Sequence, residues 1–254
     1  MAERELFGTL LWGWLVLAAL VFPLLFFITA PYGRHNREGW GPQLGRRVGW
    51  VVMEAPSPLL MALFFAVGQR HGSAVAAVFL AMWLLHYVNR AFIYPFRVRG
   101  GQKRMPLLIV LFALFFNLGN AYFNGRHLFA FAPEYPLSWL LDPRFLGGSA
   151  LFLAGFLINL HADGVLLRMR AHPAADGYRI PRGGLYELVS CPNYLGEVME
   201  WSGWALATWS LAGLSFALWT VANLVPRALS NHRWYRERFP DYPARRRAVI
   251  PFLL

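Results

Sequence analysis

The sequence predicts an all-α integral membrane protein with seven transmembrane helices, its N-terminus outside and its C-terminus in the cytoplasm. Three observations lead there. Of 254 residues, 57% are hydrophobic and only 15% charged, where a soluble domain carries about 25% charged residues. Apolar runs recur at the ~20-residue length that crosses a bilayer core. The basic residues fall in alternate segments between those runs. A water-soluble globule, a disordered chain and a disulfide-stapled domain are excluded, the last because Cys191 is the only cysteine.

The spans follow in order. Residues 6–30 are too long for a signal-peptide core and lack a small-residue cleavage site after them, so they are expected to remain as the first helix. Further spans are expected at 48–67, 73–94, 106–122 and 145–167. The last apolar block, 194–225, is too long for one crossing, and a break at Ser210-Leu211-Ala212-Gly213 would divide it into two short helices. Charge parity supports the division. Segments 31–49, 97–105, 168–193 and 226–254 carry 4, 4, 4 and 7 basic residues, whereas the intervening polar segments carry only Arg4, Arg70, Arg126 and Arg144. Lys and Arg gather on the cytoplasmic side, which requires an odd number of crossings. A single domain over 1–254 is expected, without internal repeat or linker.

The net charge of +11 comes almost wholly from arginine. A nucleic-acid binder would gather that charge on one polar face or tail. Here it sits between spans, favouring membrane topology and an anionic ligand, with no nucleic-acid partner and no metal site expected. The Arg, Ala, Gly and Pro bias suits a GC-rich bacterial genome.

Ionisable groups inside spans are costly and by default mark function. Glu54 lies several residues into the second span. A carboxyl in low dielectric favours its neutral form and can then donate to a ligand carbonyl; alternatively it pins two helices or pairs with Arg90. His86 and Arg90 share a helix face near the end of the third span, with Tyr87 beside them. A buried phenol suits proton donation toward a ketone, although Tyr at a span end also serves as an interfacial anchor. Asn159, Asp163 and Arg170 form one helical stripe running toward the cytoplasm. Such a stripe reads either as contacts for hydroxyls and phosphates or as a polar helix seam.

Next, Tyr178-Arg179-Ile180-Pro181-Arg182-Gly183-Gly184-Leu185-Tyr186 joins two arginines to a Gly-Gly turn, where backbone amides can approach an anion and Arg offers a bidentate fork. It lacks the spacing and the lysine of a P-loop. Asn193, Glu197, Glu200 and Trp204 line one face at the mouth of the sixth helix, suiting ribose hydroxyls or a carboxamide. In the tail, Arg227 and Arg233 face either a phosphate or the inner leaflet. No GxGxxG follows a strand, so a nucleotide would bind among helices and cytoplasmic loops.

Together these motifs resemble the steroid 5α-reductase family over essentially the whole chain, and the chain looks like a bacterial member similar to the type 2 enzymes. The matching stretches are Pro31-Tyr32-Gly33, Glu54-Ala55-Pro56-Ser57, His86-Tyr87 with Arg90, and Asn159-Leu160-His161-Ala162-Asp163. They continue through Tyr178-Arg179-Ile180-Pro181-Arg182-Gly183-Gly184-Leu185, Asn193-Tyr194-Leu195-Gly196-Glu197, Ala205-Leu206-Ala207-Thr208-Trp209-Ser210, Asp241-Tyr242-Pro243 and Ile250-Pro251-Phe252. The Asn-Tyr-x-Gly-Glu piece is shared more loosely with sterol reductases and isoprenylcysteine methyltransferases.

The resemblance implies reduction of the C4–C5 double bond of a 3-oxo-Δ4 steroid with NADPH. Glu54 and Tyr87 would hold the 3-keto oxygen. Asn159, Asp163, Arg170, Tyr178, Arg179, Asn193, Glu197, Arg227 and Tyr235 would contact the cofactor, with Met53, Tyr32 and Trp201 beside the substrate. Two positions depart from the pattern: Met53 stands where the family has Gln, and Asn231 where a His is expected. A monomer surrounded by membrane lipids is expected, in the bacterial inner membrane, or in the endoplasmic reticulum for eukaryotic relatives. The competing readings are an S-adenosylmethionine-dependent lipid or prenylcysteine methyltransferase, and a non-catalytic sterol-binding protein.

Overall fold

The computed structural model describes residues 2–98, 104–171 and 178–254. Arg99 and Lys103, which contribute to the charge parity, lie outside them. Nine α-helices carry the described chain, and five helical segments are long and apolar enough to cross a membrane: Glu3–Phe27, Arg46–Val67, Ala74–Arg97, Leu107–Phe131 and Pro143–Arg170. Their polarity is inverted relative to a soluble protein. Leu20, Phe112 and Leu157 are exposed while Asn117, Asn159 and Asp163 are buried, as expected when the surrounding medium is apolar. The chain divides into two compact units, with chain boundaries after Gly13 inside the helix Ala2–Phe27, after Thr29, and after Leu146 inside the helix Pro143–Ala171.

The first unit comprises the chain up to Gly13 with Ala30–Leu146. The start of α1 (Ala2–Phe27) packs Phe7 against Tyr122, Phe123 and Phe131 at centroid separations of 6.0, 5.7 and 5.0 Å. The second span is two helices, α2 (Arg46–Glu54) and α3 (Pro56–Val67), meeting at Ala55. Pro56 has no N–H to continue the ladder, so the chain breaks beside Glu54. Helix α4 (Ala74–Val88), capped by Ser73, runs through a π-helical turn Asn89–Ile93 into α5 (Tyr94–Arg97). Strands β1 (Gln43–Gly45) and β2 (Arg104–Pro106) pair antiparallel and lead into α2 and α6 (Leu107–Arg126). Met61, Phe79, Trp83, Ala121 and Phe129 have no solvent exposure.

The second unit comprises Trp14–Thr29 with Gly147–Leu254. Helix α7 (Pro143–Ala171) and helix α8 (Pro192–Thr208) meet backbone to backbone. A Cβ on Gly148 would overlap the main chain of Ala207, one on Gly155 that of Glu200, and one on Gly203 that of Phe152. One on Gly196 would stand 2.6 Å from the Gly155 carbonyl. Small residues at such a seam let membrane helices approach closely. The expected break in the last apolar block occurs at Trp209, in the left-handed region at φ 44°, and α9 (Leu211–Arg238) begins after Ser210, whose hydroxyl accepts from the Gly213 amide at 2.9 Å. Helix α8, at 17 residues, and α9, which turns basic after Val225, are not among the five long apolar segments. The C-terminal strap pairs residues 188–191 with Arg247 and Ala248 through main-chain hydrogen bonds of 2.8–3.0 Å.

Candidate active site

In the first unit, Glu54 is the last residue of α2, immediately before the break at Ala55. Tyr87 comes from the last turn of α4. It is buried, stacked on Trp83 at 5.1 Å, with the His86 ring edge-on at 5.0 Å. Sequence reasoning singled out both residues but missed what joins them. Asn117, on α6 and 3% exposed, accepts the Tyr87 hydroxyl on Oδ1 at 3.2 Å. Its Nδ2 donates to the Met53 carbonyl at 2.7 Å and to Glu54 Oε2 at 3.2 Å. The other carboxylate oxygen, Oε1, lies 3.8 Å from Arg90 Nε. The ion pair given above as an alternative for Glu54 therefore forms, within a chain of four residues from phenol to guanidinium.

Arg90 is held in turn. Its guanidinium lies 4.7 Å from the Trp50 ring and 5.2 Å from the Tyr94 ring, and its carbonyl accepts from Trp50 Nε1 at 3.0 Å. It sits in the π-helical turn, a feature that often marks functional sites. Met53 is buried in an apolar cluster with Met105 and Val110. Tyr32 is half-buried just before the turn Gly33–His35.

In the second unit, the α7–α8 seam brings the two predicted polar stripes together. Asn159 Nδ2 donates to the Asn193 carbonyl at 3.0 Å and to Glu197 Oε1 at 3.1 Å. Asn193 Nδ2 donates to Asp163 Oδ1 at 3.3 Å. Asn159 and Asp163 are buried, whereas Asn193 and Glu197 are partly accessible. On α9, Arg227 is 7% exposed and donates from Nε to the Tyr194 hydroxyl at 3.2 Å. Tyr235 is buried and stacks on Tyr242 at 5.3 Å. Asn231, at the position where a His was expected, donates to Cys191 Sγ at 3.6 Å. Trp201 packs inside the unit against Phe216, centroids 4.0 Å apart, and Phe152.

The remaining predicted residues lie in the last turn of α7 and in the stretch that begins at Tyr178. Arg170 is exposed in the last turn of α7, Arg179 is exposed, and Tyr178 meets the Trp234 ring at 5.0 Å. The Gly183-Gly184 turn, with both residues at positive φ, is fixed by Glu187, whose Oε1 accepts from the Gly183 amide at 2.7 Å. That bond, together with the nearby guanidiniums of Arg246 and Arg182, holds the Glu187 carboxyl below its usual pKa.

Sequence reasoning also missed Arg246, because it stands between two exposed arginines in a basic run. It is 1% exposed and donates to the Pro181 carbonyl at 3.1 Å, tying the tail to the glycine turn. Above it, Ser190 Oγ lies 2.6 Å from both His232 Nδ1 and the Tyr242 hydroxyl. Burial, then the charges of Arg236, Arg246 and Arg247, push the His232 pKa down.

A polar set of this kind can do two things. The first unit offers a phenol and a carboxyl converging through one amide, suited to a carbonyl oxygen that gains charge. The second offers carboxylates, amides and a buried guanidinium, suited to hydroxyls, a carboxamide and phosphate. Comparison with known proteins identifies the family. A family model described as 3-oxo-5-alpha-steroid 4-dehydrogenase matches residues 103–254. The chain is 43% identical to "Steroid 5-alpha-reductase DET2" of Solanum lycopersicum over 99% of its own length and 98% of the relative's. It is 45% identical to "3-oxo-5-alpha-steroid 4-dehydrogenase 1" of Bos taurus over 100% and 99%. To the Homo sapiens protein of the same name it is 42% identical over 100% and 97%.

Proposed function

The chain belongs to the 3-oxo-5-alpha-steroid 4-dehydrogenase family, and from that premise we propose that it reduces the C4–C5 double bond of 3-oxo-Δ4 steroids with a nicotinamide cofactor, NADPH. It is an oxidoreductase of the membrane. The observation that carries the residue assignment is the Glu54–Asn117–Tyr87 cluster, a phenol and a carboxyl joined through one buried amide.

Asn159, Asp163, Asn193 and Glu197 would hold the nicotinamide and ribose side of the dinucleotide, and Arg170, Tyr178, Arg179, Arg227 and Tyr235 its phosphates and adenosine. The donor set fits: the carboxylates accept from hydroxyls, the asparagines meet a carboxamide, and Arg227 is a buried cation already oriented by Tyr194. When bound, the cofactor supplies the hydride.

The protein's part falls on the ketone. Hydride arriving at C5 leaves negative charge on the 3-oxo oxygen, as an enolate that takes up a proton from solvent at C4 to complete the reduction. Tyr87 and Glu54, the latter in its protonated form, donate to that oxygen and stabilise charge where it develops. Met53, Tyr32 and Trp201 are assigned to the substrate. A packed apolar bundle keeps water from the reacting atoms. We read α8 and α9 as two further crossings, giving seven, with the N-terminus outside and a monomer in lipid.

The test is purified protein with NADPH and a panel of 3-oxo-Δ4 steroids, following loss of cofactor absorbance and product stereochemistry. Turnover to 5α products is expected. Glu54→Gln and Tyr87→Phe should each lower kcat by ~10²–10³. No NADPH oxidation with any enone overturns the proposal.

A further inference from the structure

We infer that Asn117 is a positioning residue for this reaction: its one carboxamide holds the Glu54 carboxyl and the Tyr87 phenol in a common frame, so that both meet a ketone oxygen together. The inference rests on the reading of Glu54 and Tyr87 above and goes beyond it in assigning work to a residue on a third helix.

The orientation of the amide is settled by its neighbours. An amide's nitrogen and oxygen are told apart by the hydrogen bonds they make. The Met53 main-chain carbonyl accepts only, so the group 2.7 Å from it is the NH₂ end. That leaves the second N–H for Glu54 Oε2 at 3.2 Å and turns Oδ1 toward the Tyr87 hydroxyl, also at 3.2 Å. One planar group thus fixes a carboxyl from α2 and a phenol from α4 with respect to each other. With Asn117 at 3% exposure, bulk water does not replace it.

The arrangement has a chemical consequence. Tyr87 has a single O–H, and with no carbonyl ligand present its proton rests on Asn117 Oδ1. An incoming ketone oxygen takes that proton in place of Oδ1, and the phenol ring, stacked on Trp83, keeps the position that the Asn117 bond gave it. The donor is therefore pre-aligned, with little reorganisation left for the moment of reaction.

A purely structural clasp would also use these bonds, since Asn117 ties α6 to α2 through the Met53 carbonyl. The two roles separate in a double-mutant cycle. Asn117→Leu, with Asn117→Ala as a second variant should the first fail to fold, is assayed alone and combined with Tyr87→Phe. The expected result is a kcat loss of roughly ten- to hundredfold, the scale of a misplaced catalytic group, with the steroid KM changed less than about threefold. In the Tyr87→Phe background the further loss should be under about twofold, because partners acting as a unit are non-additive.

A second readout needs no turnover. A 3-oxo-Δ4 steroid bound to cofactor-free enzyme should show its enone absorbance shifted to the red by hydrogen bonding at the ketone, and both Asn117→Leu and Tyr87→Phe should remove the shift. Losses that multiply in the cycle, or an unchanged red shift, overturn the positioning role. If Glu54→Gln and Tyr87→Phe are themselves fully active, the site assignment fails; if they are impaired while Asn117→Leu is not, only the role of Asn117 fails.

Discussion

A carboxylate and a guanidinium 3.8 Å apart within membrane-spanning segments repay their desolvation only when further hydrogen bonds complete them. Glu54 has Asn117, and Arg90 has two aromatic faces. Glu54, Tyr87 and Arg90 were legible in the sequence because a charge or a phenol in an apolar run stands out. Asn117 was not. A neutral amide costs less to bury, so a scan for ionisable groups passes over it, although Asn117, Asn120 and Asn124 at spacings of three and four lie along one face of α6 and could have signalled an inward polar stripe. At the cofactor end, Arg170 and Arg179 are the exposed guanidiniums of the predicted set. If either meets the 2′-phosphate, Arg179→Gln or Arg170→Gln should raise the KM for NADPH about tenfold or more and leave that for NADH unchanged, as steady-state kinetics with both cofactors would show. His232 gives a pH test. Its folded pKa lies below the ordinary value of about 6.5, so the unfolded chain binds the proton first. Its stabilising contribution is full above pH ~6.5 and is lost as pH falls through the depressed folded value. Thermal unfolding in detergent should weaken over that interval in the wild type, and less in His232→Gln.

At the level of elements, the helices were largely readable, while their irregularities were not. Five expected spans correspond to long apolar segments of the structure, and the last block divides at Trp209, close to the expected site. The break at Ala55 follows from Pro56. The π-helical turn at Asn89–Ile93 has no comparable sign in the sequence, because an inserted residue in a helix shows as altered backbone hydrogen bonding rather than altered composition. The same is true of the α7–α8 seam. Its glycines are visible in the sequence, but which of them touch a neighbouring backbone is decided by packing. Gly155→Val is expected to destabilise by about 1–3 kcal/mol or to block folding, since a Cβ there overlaps the Glu200 main chain. Gly147→Ala, whose Cβ would meet only Leu206 at 3.9 Å, should leave the melting temperature within a degree or so of wild type.

For the whole molecule, hydropathy and charge parity spoke to the solvent and the crossing count rather than to the site. The exposed leucines and phenylalanines of the spans and the buried asparagines are the pattern of a chain folded for lipid. The seven-crossing reading makes a direct prediction. A reporter that fluoresces only in the cytoplasm should be bright when fused after Leu254, and an exported phosphatase should be active when placed in residues 132–142. An even number of crossings would reverse one of these results. The glycine seam of α7 and α8 bears on how such an enzyme can be altered. Two backbones in direct contact leave no side chain to trim or enlarge, so the spacing of Asn159, Asp163, Asn193 and Glu197 offers nothing for gradual adjustment. Any natural or laboratory drift toward a different dinucleotide would have to begin instead at the exposed arginines, Arg170 and Arg179.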